Sequence, residues 1–501
     1  MKNSLSAHGI ENIKVEPFPH QINGIKWMTK QETIYWRGGI LADDMGLGKS
    51  FQTLATIVNC AIPGTTLIVM PLSLISQWQK EIVEKLSIPL KVAVYHGSGR
   101  GNVAFGDYDI VLTTYGTLSR DFDQNGMKKK GEGRRRKGRF NPYIRPEPKH
   151  TPHSSSELDH GPLLRYNWLR VVLDECQQIK NGGSVVANAA HALNARFRWL
   201  LSGTPIQNKR EEFMSMYRFV QGKSTNSVKH ALEELLPQIL RRTKDEVLTL
   251  PTKKIVRQSN ILVDQERAIY DKYEEVTKAE AYDIIHSGKN RMKQSAELLI
   301  LLLRMRQIAD HPRLVLPDCP VEFSSKQKKI MRILRSLRRR GIEKNRTEKI
   351  VVFSTFVEML KKLKESLDAL GWNYTTFVGS MSMKERQASL DRFNTDETCN
   401  ILLMSTKAGN VGLNLTCAST VILSEPWWNP FVDEQAMDRV HRIGQKRKTV
   451  IYQMVSKGTI EERILYIQQK KKEMFAEFFD NGTVSGRTGL GVEDMKYLFK
   501  I

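Results

Sequence analysis

Two parts of the sequence alternate between short apolar runs and amphipathic stretches. Between about residues 22 and 118, runs such as GGILA, TTLIVM and YDIVLTTY are separated by stretches such as SQWQKEIVEKL, and KIVVFSTF, NILLMST and STVILSEP repeat the pattern in the second half. Strands and helices in this order build a parallel sheet covered by helices. Because 501 residues exceed what one hydrophobic core usually serves, the sequence predicts an α/β protein with two parallel-sheet lobes.

The stretch between these two parts, from roughly Glu211 to Leu314, has apolar residues at the i, i+3, i+4 spacing of helices. We therefore expect a helical middle region that joins the lobes. The predicted division is an N-terminal lobe over 1–222, a helical protrusion and brace over 223–322, a C-terminal lobe over 323–480 and a tail over 481–501.

The N-terminal lobe is interrupted by residues 121–161, which are rich in Gly, Pro, Ser and charge and have almost no apolar periodicity. This composition predicts a disordered or loosely ordered insertion. Eight of the twelve residues 128–139 are basic. The basic run is either a solvated loop or a segment that contacts DNA or directs nuclear import.

The whole chain is strongly basic, with 77 lysines and arginines against 54 aspartates and glutamates and a formal net charge of +23. Such a field attracts phosphate backbones and releases their counterions. The charge balance therefore favours a polyanionic partner, and a basic protein without such a partner is the alternative.

Cysteine usage and hydropathy restrict the compartment. The cysteines stand far apart, with no C-x-x-C pair and no histidine at ligand spacing, so neither a disulfide framework nor a structural zinc site is indicated. The N-terminus lacks the apolar core of a signal peptide. The longest apolar run, Leu298–Leu303, is too short to span a bilayer, so we expect a reducing compartment and no membrane association.

The sharpest motif is LADDMGLGKS, Leu41–Ser50, which lies after a short apolar strand and before a helical pattern. In such a phosphate-binding loop, Gly46 and Gly48 let backbone N–H groups turn toward phosphate oxygens, Lys49 reaches the terminal phosphates and Ser50 can ligate Mg²⁺. The strict pattern has glycine where Asp43 stands. The motif predicts ATP as the bound nucleotide, with Mg²⁺.

A second motif, VVLDECQQIK, ends an apolar run in two adjacent carboxylates. Asp174 and Glu175 are either polar residues at the end of a strand or a catalytic pair. In phosphate-loop enzymes an acid at a neighbouring strand end holds magnesium, and a second acid can orient and deprotonate the attacking water. With a phosphate loop upstream and SGTP downstream, the catalytic interpretation is favoured.

These motifs, together with LSGTPIQN, resemble the Swi/Snf-type DNA translocases within the superfamily 2 helicase-like ATPases. The resemblance covers most of the chain and implies two RecA-like lobes joined by a helical middle region. PFPHQINGIKWM resembles the segment that reads adenine, with Gln21 as the base contact and Phe18 as a stacking neighbour. The family's phosphate loop also lacks the first glycine, which removes the objection raised by Asp43.

The resemblance also implies roles for residues near DNA and in the second lobe. VMPLSLISQW and VLTTYGTL are similar to segments that touch the DNA backbone, and STKAGNVGLNLTCAST and EPWWNPFVDEQAMDRVHRIGQ are close to second-lobe signatures. The implied DNA contacts are Ser73, Trp78, Thr114, Thr406 and Trp428. Gly409 and Gly412 would lie at the ATP and DNA side of the cleft, with Gln435 beside the nucleotide.

Arg439 and Arg442 fall where the family places its arginine fingers. An arginine finger accelerates hydrolysis by roughly 10³ to 10⁵, so a lobe that contributes one acts as a switch. The alternative is that the two arginines form salt bridges with acids on a helix face.

Three positions depart from the family pattern. Cys176-Gln177 stands where Ala or Gly followed by His is usual, Asn410 replaces a frequent Gly, and Glu425 replaces the common Asp before PWWNP. Cys is comparably small and Gln can still form hydrogen bonds across the site. We therefore expect hydrolysis to survive, with the coupling of hydrolysis to lobe movement left open.

LRRTKDEVLTLPTK, Leu240–Lys253, resembles the family's brace between lobes, and LLLRMRQIADHP resembles a segment of the DNA-repair branch. Members of that branch usually carry a RING zinc finger just after this point, where this chain has a single cysteine, Cys319. The resemblance therefore implies no zinc and no RING-type ubiquitin-ligase activity. It implies double-stranded DNA as partner, nucleosomes or DNA-bound proteins as cargo, and a nuclear location.

Three functions are compatible with this pattern. The first is a DNA-dependent ATPase that translocates on double-stranded DNA in repair or chromatin remodelling. The second, a helicase that separates DNA or RNA strands, is disfavoured by WWNP, HRIGQ and the brace. The third, a DNA-bound scaffold that does not hydrolyse ATP, would be expected to have lost Lys49, Asp174, Glu175 or Arg442, and all four are present.

Overall fold

The computed structural model describes residues 10–35, 38–97, 100, 103–122, 161–203, 210–288, 290–343, 347–409, 413–481 and 490–501. These residues belong to two compact units. Unit 1 lies within Met1–Asp44, Gly48–Ile206 and Arg210–Thr243, and unit 2 lies within Met45–Leu47, Gln207–Lys209 and Lys244–Ile501.

Unit 1 is built on a parallel sheet of seven described strands in the order β3-β4-β2-β5-β6-β1-β7. The strands are β1 (Gly38–Leu41), β2 (Thr66–Met70), β3 (Val92–Tyr95), β4 (Ile110–Thr114), β5 (Trp168–Asp174), β6 (Ala195–Leu201) and β7 (Ile239–Leu240). Every residue of β1, β2 and β4 is buried, which matches their nearly continuous apolar sequences because a covered parallel sheet has no solvent face.

Helices connect these strands, as parallel pairing requires. The helices of unit 1 are α1 (Pro19–Lys30), α2 (Lys49–Val58), α3 (Ile75–Lys85), α4 (Tyr115–Phe122), α5 (Pro162–Arg165), α6 (Val185–His191), α7 (Arg210–Gln221) and α8 (Val228–Leu235). The apolar face of α2 packs inward through Phe51, Leu54 and Ala55. The first lobe thus has the predicted alternation of strands and helices.

Most of the predicted basic insertion, including the basic run at 128–139, lies outside the described residues. Its two ends are described and lie together: the N–H of Gly161 donates to the Asp121 carbonyl at 2.7 Å. The carboxylate of Asp121 accepts from the Tyr95 hydroxyl at 3.2 Å. The chain therefore leaves and re-enters unit 1 at one point, which leaves the sheet on either side intact.

A buried ion pair crosses the centre of unit 1. Arg170, in the middle of β5, donates to Glu32 through Nε at 2.6 Å and Nη2 at 2.5 Å. Glu32 also accepts from the Trp199 indole at 2.8 Å. Both charged side chains are almost fully buried, at 1% and 3% exposed. Since a lone buried charge is costly, each partner is required by the other.

Unit 2 contains a second parallel sheet, of six described strands, in the order β10-β11-β9-β12-β13-β8. The strands are β8 (Lys253–Asn260), β9 (Ile350–Ser354), β10 (Tyr374–Phe377), β11 (Ile401–Ser405), β12 (Thr420–Leu423) and β13 (Thr449–Ser456). Alternate residues of β9 face opposite cores: Ile350 and Val352 belong to one cluster, and Val351 and Phe353 to the other. The two parallel sheets confirm the predicted fold class.

The helices of unit 2 cover both faces of this sheet and form a third cluster. They are α9 (Lys244–Val247), α10 (Asp264–His286), α11 (Arg291–Asp310), α12 (Ser325–Glu343), α13 (Val357–Asp368), α14 (Met383–Thr395), α15 (Thr406–Gly409), α16 (Pro430–Met437), α17 (Ile460–Asn481) and α18 (Val492–Phe499). The third cluster packs α10, α11, α17 and α18 together, and Phe499 of the predicted tail is buried in it.

The stretch from Glu211 to Leu314, which was expected to be helical, also contains two strands. β7 adds to the first sheet beside β1, and β8 adds to the second beside β13. An edge strand needs no continuous apolar run because only one side is paired. In β8, the sequence KKIVRQSN leaves most side chains exposed, so it lacked the signal of a buried strand. The residues of the predicted middle region are divided between the two units.

No helix in the described ranges is long and apolar enough to cross a membrane.

The buried pair in unit 1 leads to a stability prediction. Glu32→Ala removes the counter-charge of Arg170, so we expect the free energy of unfolding to fall by about 3–5 kcal/mol. Urea unfolding followed by tryptophan fluorescence measures the change.

The matched control is Glu84→Ala, which removes an exposed ion pair with Lys80 whose atoms are 3.7 Å apart. That substitution is expected to change the free energy of unfolding by less than about 1 kcal/mol. Equal losses in the two variants would contradict a structural role for the Glu32–Arg170 pair.

Candidate nucleotide and DNA site

The phosphate loop connects β1 to α2, and its conformation depends on two glycines. Gly46 has φ 87° and Gly48 has φ 81°, in the left-handed region that glycine adopts without strain. A Cβ atom on Gly48 would also lie 2.5 Å from the amide nitrogen of Gln21. The same close approach brings Gln21, the predicted adenine contact, against the start of α2.

Lys49 and Ser50, at the first turn of α2, both have partners within unit 1. Lys49 Nζ donates to the carbonyls of Asp43 at 2.7 Å and Asp44 at 3.2 Å. Ser50 Oγ donates to Glu81 at 2.7 Å. Burial raises the pKa of Glu81, but the Lys85 charge and hydrogen bonds, including that from Ser50, bring the pKa below its usual value. Lys49 thus already lies against oxygen acceptors in the loop.

Asp43, which stands where glycine is usual, is fully buried and paired. Arg242 Nε donates to its Oδ1 at 2.9 Å, and Nη2 donates to Oδ2 at 2.5 Å. Arg242 Nη2 also donates to the Gln52 side chain at 2.9 Å. The sequence departure therefore has a structural reason: a bidentate ion pair joins the phosphate loop to the brace segment.

Asp174 lies at the carboxyl end of β5 and is held by three donors. The Trp78 indole donates to Oδ2 at 2.9 Å, and the Glu175 N–H donates to Oδ1 at 2.9 Å. The Tyr115 hydroxyl donates to the Asp174 carbonyl at 2.8 Å. Burial, and then the Glu175 charge, raise the pKa of Asp174, and the Lys49 charge acts in the opposite direction. The positive charge of Lys49 therefore acts on the carboxylate of Asp174.

Glu175 has a backbone φ of 53°, which is rare for a residue other than glycine. Its Oε2 accepts from Gln177 Nε2 at 2.7 Å, and Gln177 Oε1 accepts from the Ser202 hydroxyl at 3.1 Å. Gln177 thus bridges the predicted base and the first residue of SGTP. Gln177 therefore forms hydrogen bonds across the site, as was expected of its amide.

Gln21 lies on α1, and its side chain is oriented by a hydrogen bond from the residue that precedes this helix. Its Oε1 accepts from the Phe18 N–H at 3.0 Å. Phe18 itself is 43% exposed, and its ring stacks on His20 with centroids 5.8 Å apart. An exposed aromatic ring beside an ordered amide can stack on a base while the amide forms hydrogen bonds to it.

Trp78, which was predicted to contact DNA, is buried in this structure. Trp78 is 1% exposed, and its indole N–H is used by Asp174, so its function is to hold that carboxylate. Thr114 is 5% exposed and its hydroxyl accepts from the Thr117 N–H at 3.1 Å, which caps α4 and does not present the side chain to a phosphate. Ser73 lies on a partly exposed turn before α3.

The predicted arginine fingers and Gln435 lie in unit 2, on and just after α16. Arg439 is 3% exposed, whereas Arg442 is more exposed and donates to the Leu413 carbonyl at 3.1 Å. Gln435 is 7% exposed. These three residues lie along one segment of unit 2.

Lys244 fixes this segment from the brace. Its Nζ contacts the Asp438 carboxylate at 2.6 Å and donates to the His441 carbonyl at 2.9 Å. The His441 ring contacts the Pro251 carbonyl at 2.9 Å. Residues on both sides of Arg439 are therefore anchored by the brace, and Asp438, the nearest acid, pairs with Lys244.

Trp428 is partly buried and stacks on Trp427, with ring centroids 3.8 Å apart. The buried guanidinium of Arg306 lies over both rings, at 4.5 and 5.3 Å from their centroids, and donates to the Pro426 carbonyl at 3.1 Å. Cation–π contacts of this kind are strong when desolvated. Arg306, which lies on α11, therefore holds the rings of Trp427 and Trp428 in place.

Glu425 uses its longer stem to join two strand ends. Its carboxylate accepts from the Ser354 hydroxyl at 3.0 and 3.2 Å and from the Thr355 N–H. Thr406, at the start of α15, is 8% exposed. The predictions for Asn410 and Gly412 concern positions outside the described residues.

Comparison with known proteins matches residues 20–314 to the SNF2-related domain and residues 325–444 to the helicase conserved C-terminal domain. The first match alone covers more than half of the chain. The chain belongs to the SNF2-related family. The second match lies in unit 2 and includes α16 and both arginines.

Several proteins are similar to this SNF2-related chain over most of its length. A probable global transactivator of Orgyia pseudotsugata multicapsid polyhedrosis virus is 31% identical, covering 96% of this chain and 94% of the viral protein. An uncharacterized ATP-dependent helicase of Schizosaccharomyces pombe is 28% identical, covering 96% and 62%. A DNA repair protein of Arabidopsis thaliana is 27% identical, covering 93% and 47%. The chain thus spans less than two thirds of the last two relatives.

Sequence reasoning missed several residues that build the site of this SNF2-related protein. They are the partners of predicted residues and come from distant parts of the chain: Glu81, Gln177 as a bridge, Ser202, Arg242, Lys244 and Arg306. The signal that could have found Arg242 was the charge at Asp43, because a carboxylate inside a phosphate loop requires a cation nearby.

The bridge through Gln177 leads to a kinetic prediction. Gln177→Ala leaves Glu175 without its lateral hydrogen bond, so we expect kcat for ATP hydrolysis to fall by about 10- to 10²-fold, since small misplacements of a reacting group have effects of this size. The KM for ATP should change by less than about twofold because the change concerns the hydrolysis step. Steady-state ATPase kinetics measure both constants.

The neighbouring exposed residue supplies the control, because Gln178→Ala removes the same amide without touching Glu175. Gln177→His, which keeps a hydrogen-bonding side chain, should recover part of the loss. A Gln177→Ala enzyme with unchanged kcat would contradict the bridge.

Proposed function

We propose that this protein is a DNA-dependent ATPase that uses ATP hydrolysis to translocate on double-stranded DNA. The observation that carries the proposal is geometric: in the parallel sheet of unit 1, the phosphate loop follows the carboxyl end of β1 and the acidic pair lies at the carboxyl end of β5, with β6 between the two strands. A phosphate-binding lysine beside two carboxylates provides the parts that phosphoryl transfer to water requires.

In this proposal, each residue of unit 1 has a separate task. Lys49 neutralises charge on the terminal phosphates, and Gln21 with Phe18 recognises the base. Glu175 orients the attacking water and takes its proton as general base. Gln177 holds the Glu175 carboxylate in place through the 2.7 Å hydrogen bond.

We further propose Mg²⁺ as the cofactor, held by Ser50 and Asp174. The residues fit this cation: the burial of Asp174 and the neighbouring Glu175 charge raise the pKa of Asp174, so a cation there would be favourable, and hard oxygen ligands suit Mg²⁺. When bound, the ion neutralises charge that develops on the phosphate oxygens.

Arg439 and Arg442 are proposed as the arginine fingers. The anchoring of Asp438 and His441 by Lys244 supports a positioned segment. Of the two arginines, Arg442 is the more exposed, which suits a side chain that must reach a phosphate.

Double-stranded DNA is proposed as the track. The net charge of +23 favours a polyanion, and relatives in the SNF2-related family include an ATP-dependent helicase and a DNA repair protein. Ser73 and Trp428, which are partly exposed, are the proposed contacts, since Trp78, Thr114 and Thr406 are buried. We propose a role in DNA repair or chromatin remodelling in the nucleus, with nucleosomes or DNA-bound proteins as cargo.

Replacing the proposed base tests hydrolysis separately from binding. Glu175→Gln keeps the shape of the side chain and removes its basicity, so we expect kcat to fall by about 10²- to 10⁴-fold, the usual contribution of a general base. Affinity for ATP and for a duplex oligonucleotide should stay within about twofold, because the binding of neither ligand depends on the basicity of this carboxylate. Radiometric ATP hydrolysis and fluorescence anisotropy provide the measurements.

The control is Glu84→Gln, which makes the same chemical change on an exposed face of α3. Undiminished hydrolysis by Glu175→Gln would show that the water is activated elsewhere.

A further inference from the structure

The strand β8 forms an edge of the second sheet. It pairs with β13 over its whole length, from Lys253 beside Thr449 to Asn260 beside Ser456. In the order of the six described strands it is the last, so its other side has no strand neighbour in the described part of the chain. A paired edge strand offers a row of backbone donors and acceptors to another chain.

The outward row can be identified from the hydrogen bonds at its two ends. The carbonyls of Thr252 and Asn260 point toward β13, because they accept from the N–H groups of Thr449 at 3.0 Å and Lys457 at 2.8 Å. Alternate residues of a strand direct their backbone groups to opposite sides. The groups that point away from β13 therefore belong to Lys253, Ile255, Arg257 and Ser259.

A groove lies beside this edge, between one face of β8 and the helix α17. It consists of two adjoining cavities of about 470 and 520 Å³ that share Arg257, Leu465 and Gln469 in their walls. Ile255 lines the first cavity and Ser259 the second, so the groove follows the strand. Side chains of a strand added beside β8 would enter it at every second residue.

One wall of the groove contains a buried amide with unused hydrogen-bonding capacity. Gln453 of β13 lines the first cavity and is 9% exposed, and its amide forms no hydrogen bond to the residues described in this structure. Asp433 in the same wall is already satisfied, because it accepts from Gln468 at 2.7 Å. A buried amide that faces a cavity is a group that a ligand can satisfy.

The charges around the edge are mainly positive. Lys253, Lys254 and Arg257 form no ion pair with a described carboxylate and are exposed, and Lys472 lies on the opposite wall in a pair with Glu434 at 2.7 Å. Glu462, in the second cavity, accepts from the Gly458 N–H at 2.9 Å. Lys253 and Arg257 share the side-chain face of Ile255, which is 49% exposed.

We propose that the β8 edge and its groove bind an extended acidic segment of a partner protein, which adds to the sheet as a further strand. The partner's backbone pairs with the outward groups of β8, and its carboxylates reach Arg257 and Lys253. Main-chain pairing with side chains in alternate pockets is an established mode of peptide recognition. A duplex offers phosphates but no matching row of peptide donors and acceptors, so a peptide fits the edge better than DNA.

The test uses a fluorescein-labelled octapeptide of alternating glutamate and valine, added to the full chain and followed by fluorescence anisotropy. Arg257→Glu should weaken binding by at least about 10-fold, because it places like charges together in the groove. Lys254→Glu carries the same charge change on the opposite face of β8 and should weaken binding by less than about twofold. ATP hydrolysis without peptide should be equal in both variants and the unmodified chain.

A second probe needs no protein variant. The same peptide with N-methyl groups at alternate residues, in the two possible patterns, keeps its charge but loses donors on one edge. One pattern should abolish binding and the other should retain it. When the unmethylated peptide is present, the backbone amides of a fragment containing 253–259 should also exchange their hydrogens more slowly.

Three results would overturn the proposal: no binding of the octapeptide, equal binding of both methylated forms, or equal loss in the two charge variants. If instead a labelled 20-base-pair duplex loses affinity on Arg257→Glu while the peptide fails to bind, the edge is a DNA contact and the peptide proposal is wrong.

Discussion

The ion pair between Asp43 and Arg242 is the constraint on which the phosphate loop depends. Asp43 is fully buried, and breaking such a pair leaves an uncompensated charge that costs about 3–5 kcal/mol. The carbonyl of the same residue accepts from Lys49, so the pair also controls where the phosphate-binding lysine lies. Two residues further along the chain, Lys244 anchors the segment that carries the arginines. Arg242 thus has its partner within unit 1 and Lys244 has its partners within unit 2, and a single residue of the chain separates the two.

The fold class followed from the sequence because buried parallel strands read as apolar runs, as in TLIVM of β2 and ILLMS of β11. β8 was missed because an exposed edge strand has polar residues at most positions. The phosphate loop and the acidic pair were visible because their spacing is local. The hydrogen bond from Trp78 to Asp174 could not be predicted, because the two residues are 96 positions apart in the chain and no local pattern reports a contact at that separation.

The hydrogen-bond network around Glu175 changes the meaning of the unusual Cys176-Gln177 pair. A histidine at the second position would offer ring nitrogens at fixed angles, whereas the Gln177 side chain offers an NH₂ group and a carbonyl oxygen, and each forms one of these hydrogen bonds. The connection from the proposed base to Ser202 is thus made by a different side chain. Arg306 has a comparable function in unit 2, since it holds Trp427 and Trp428 through its buried guanidinium. In both units, residues from distant parts of the chain hold the side chains of the motifs in place.

The central claim is that double-stranded DNA activates ATP hydrolysis by this member of the SNF2-related family. The most direct measurement is the ATPase rate of the full chain with equal nucleotide concentrations of duplex DNA, single-stranded DNA, RNA and nucleosomes. A translocase on duplex DNA is expected to be stimulated most by the substrates that contain duplex DNA, and little by RNA. Stimulation by RNA alone would contradict the account.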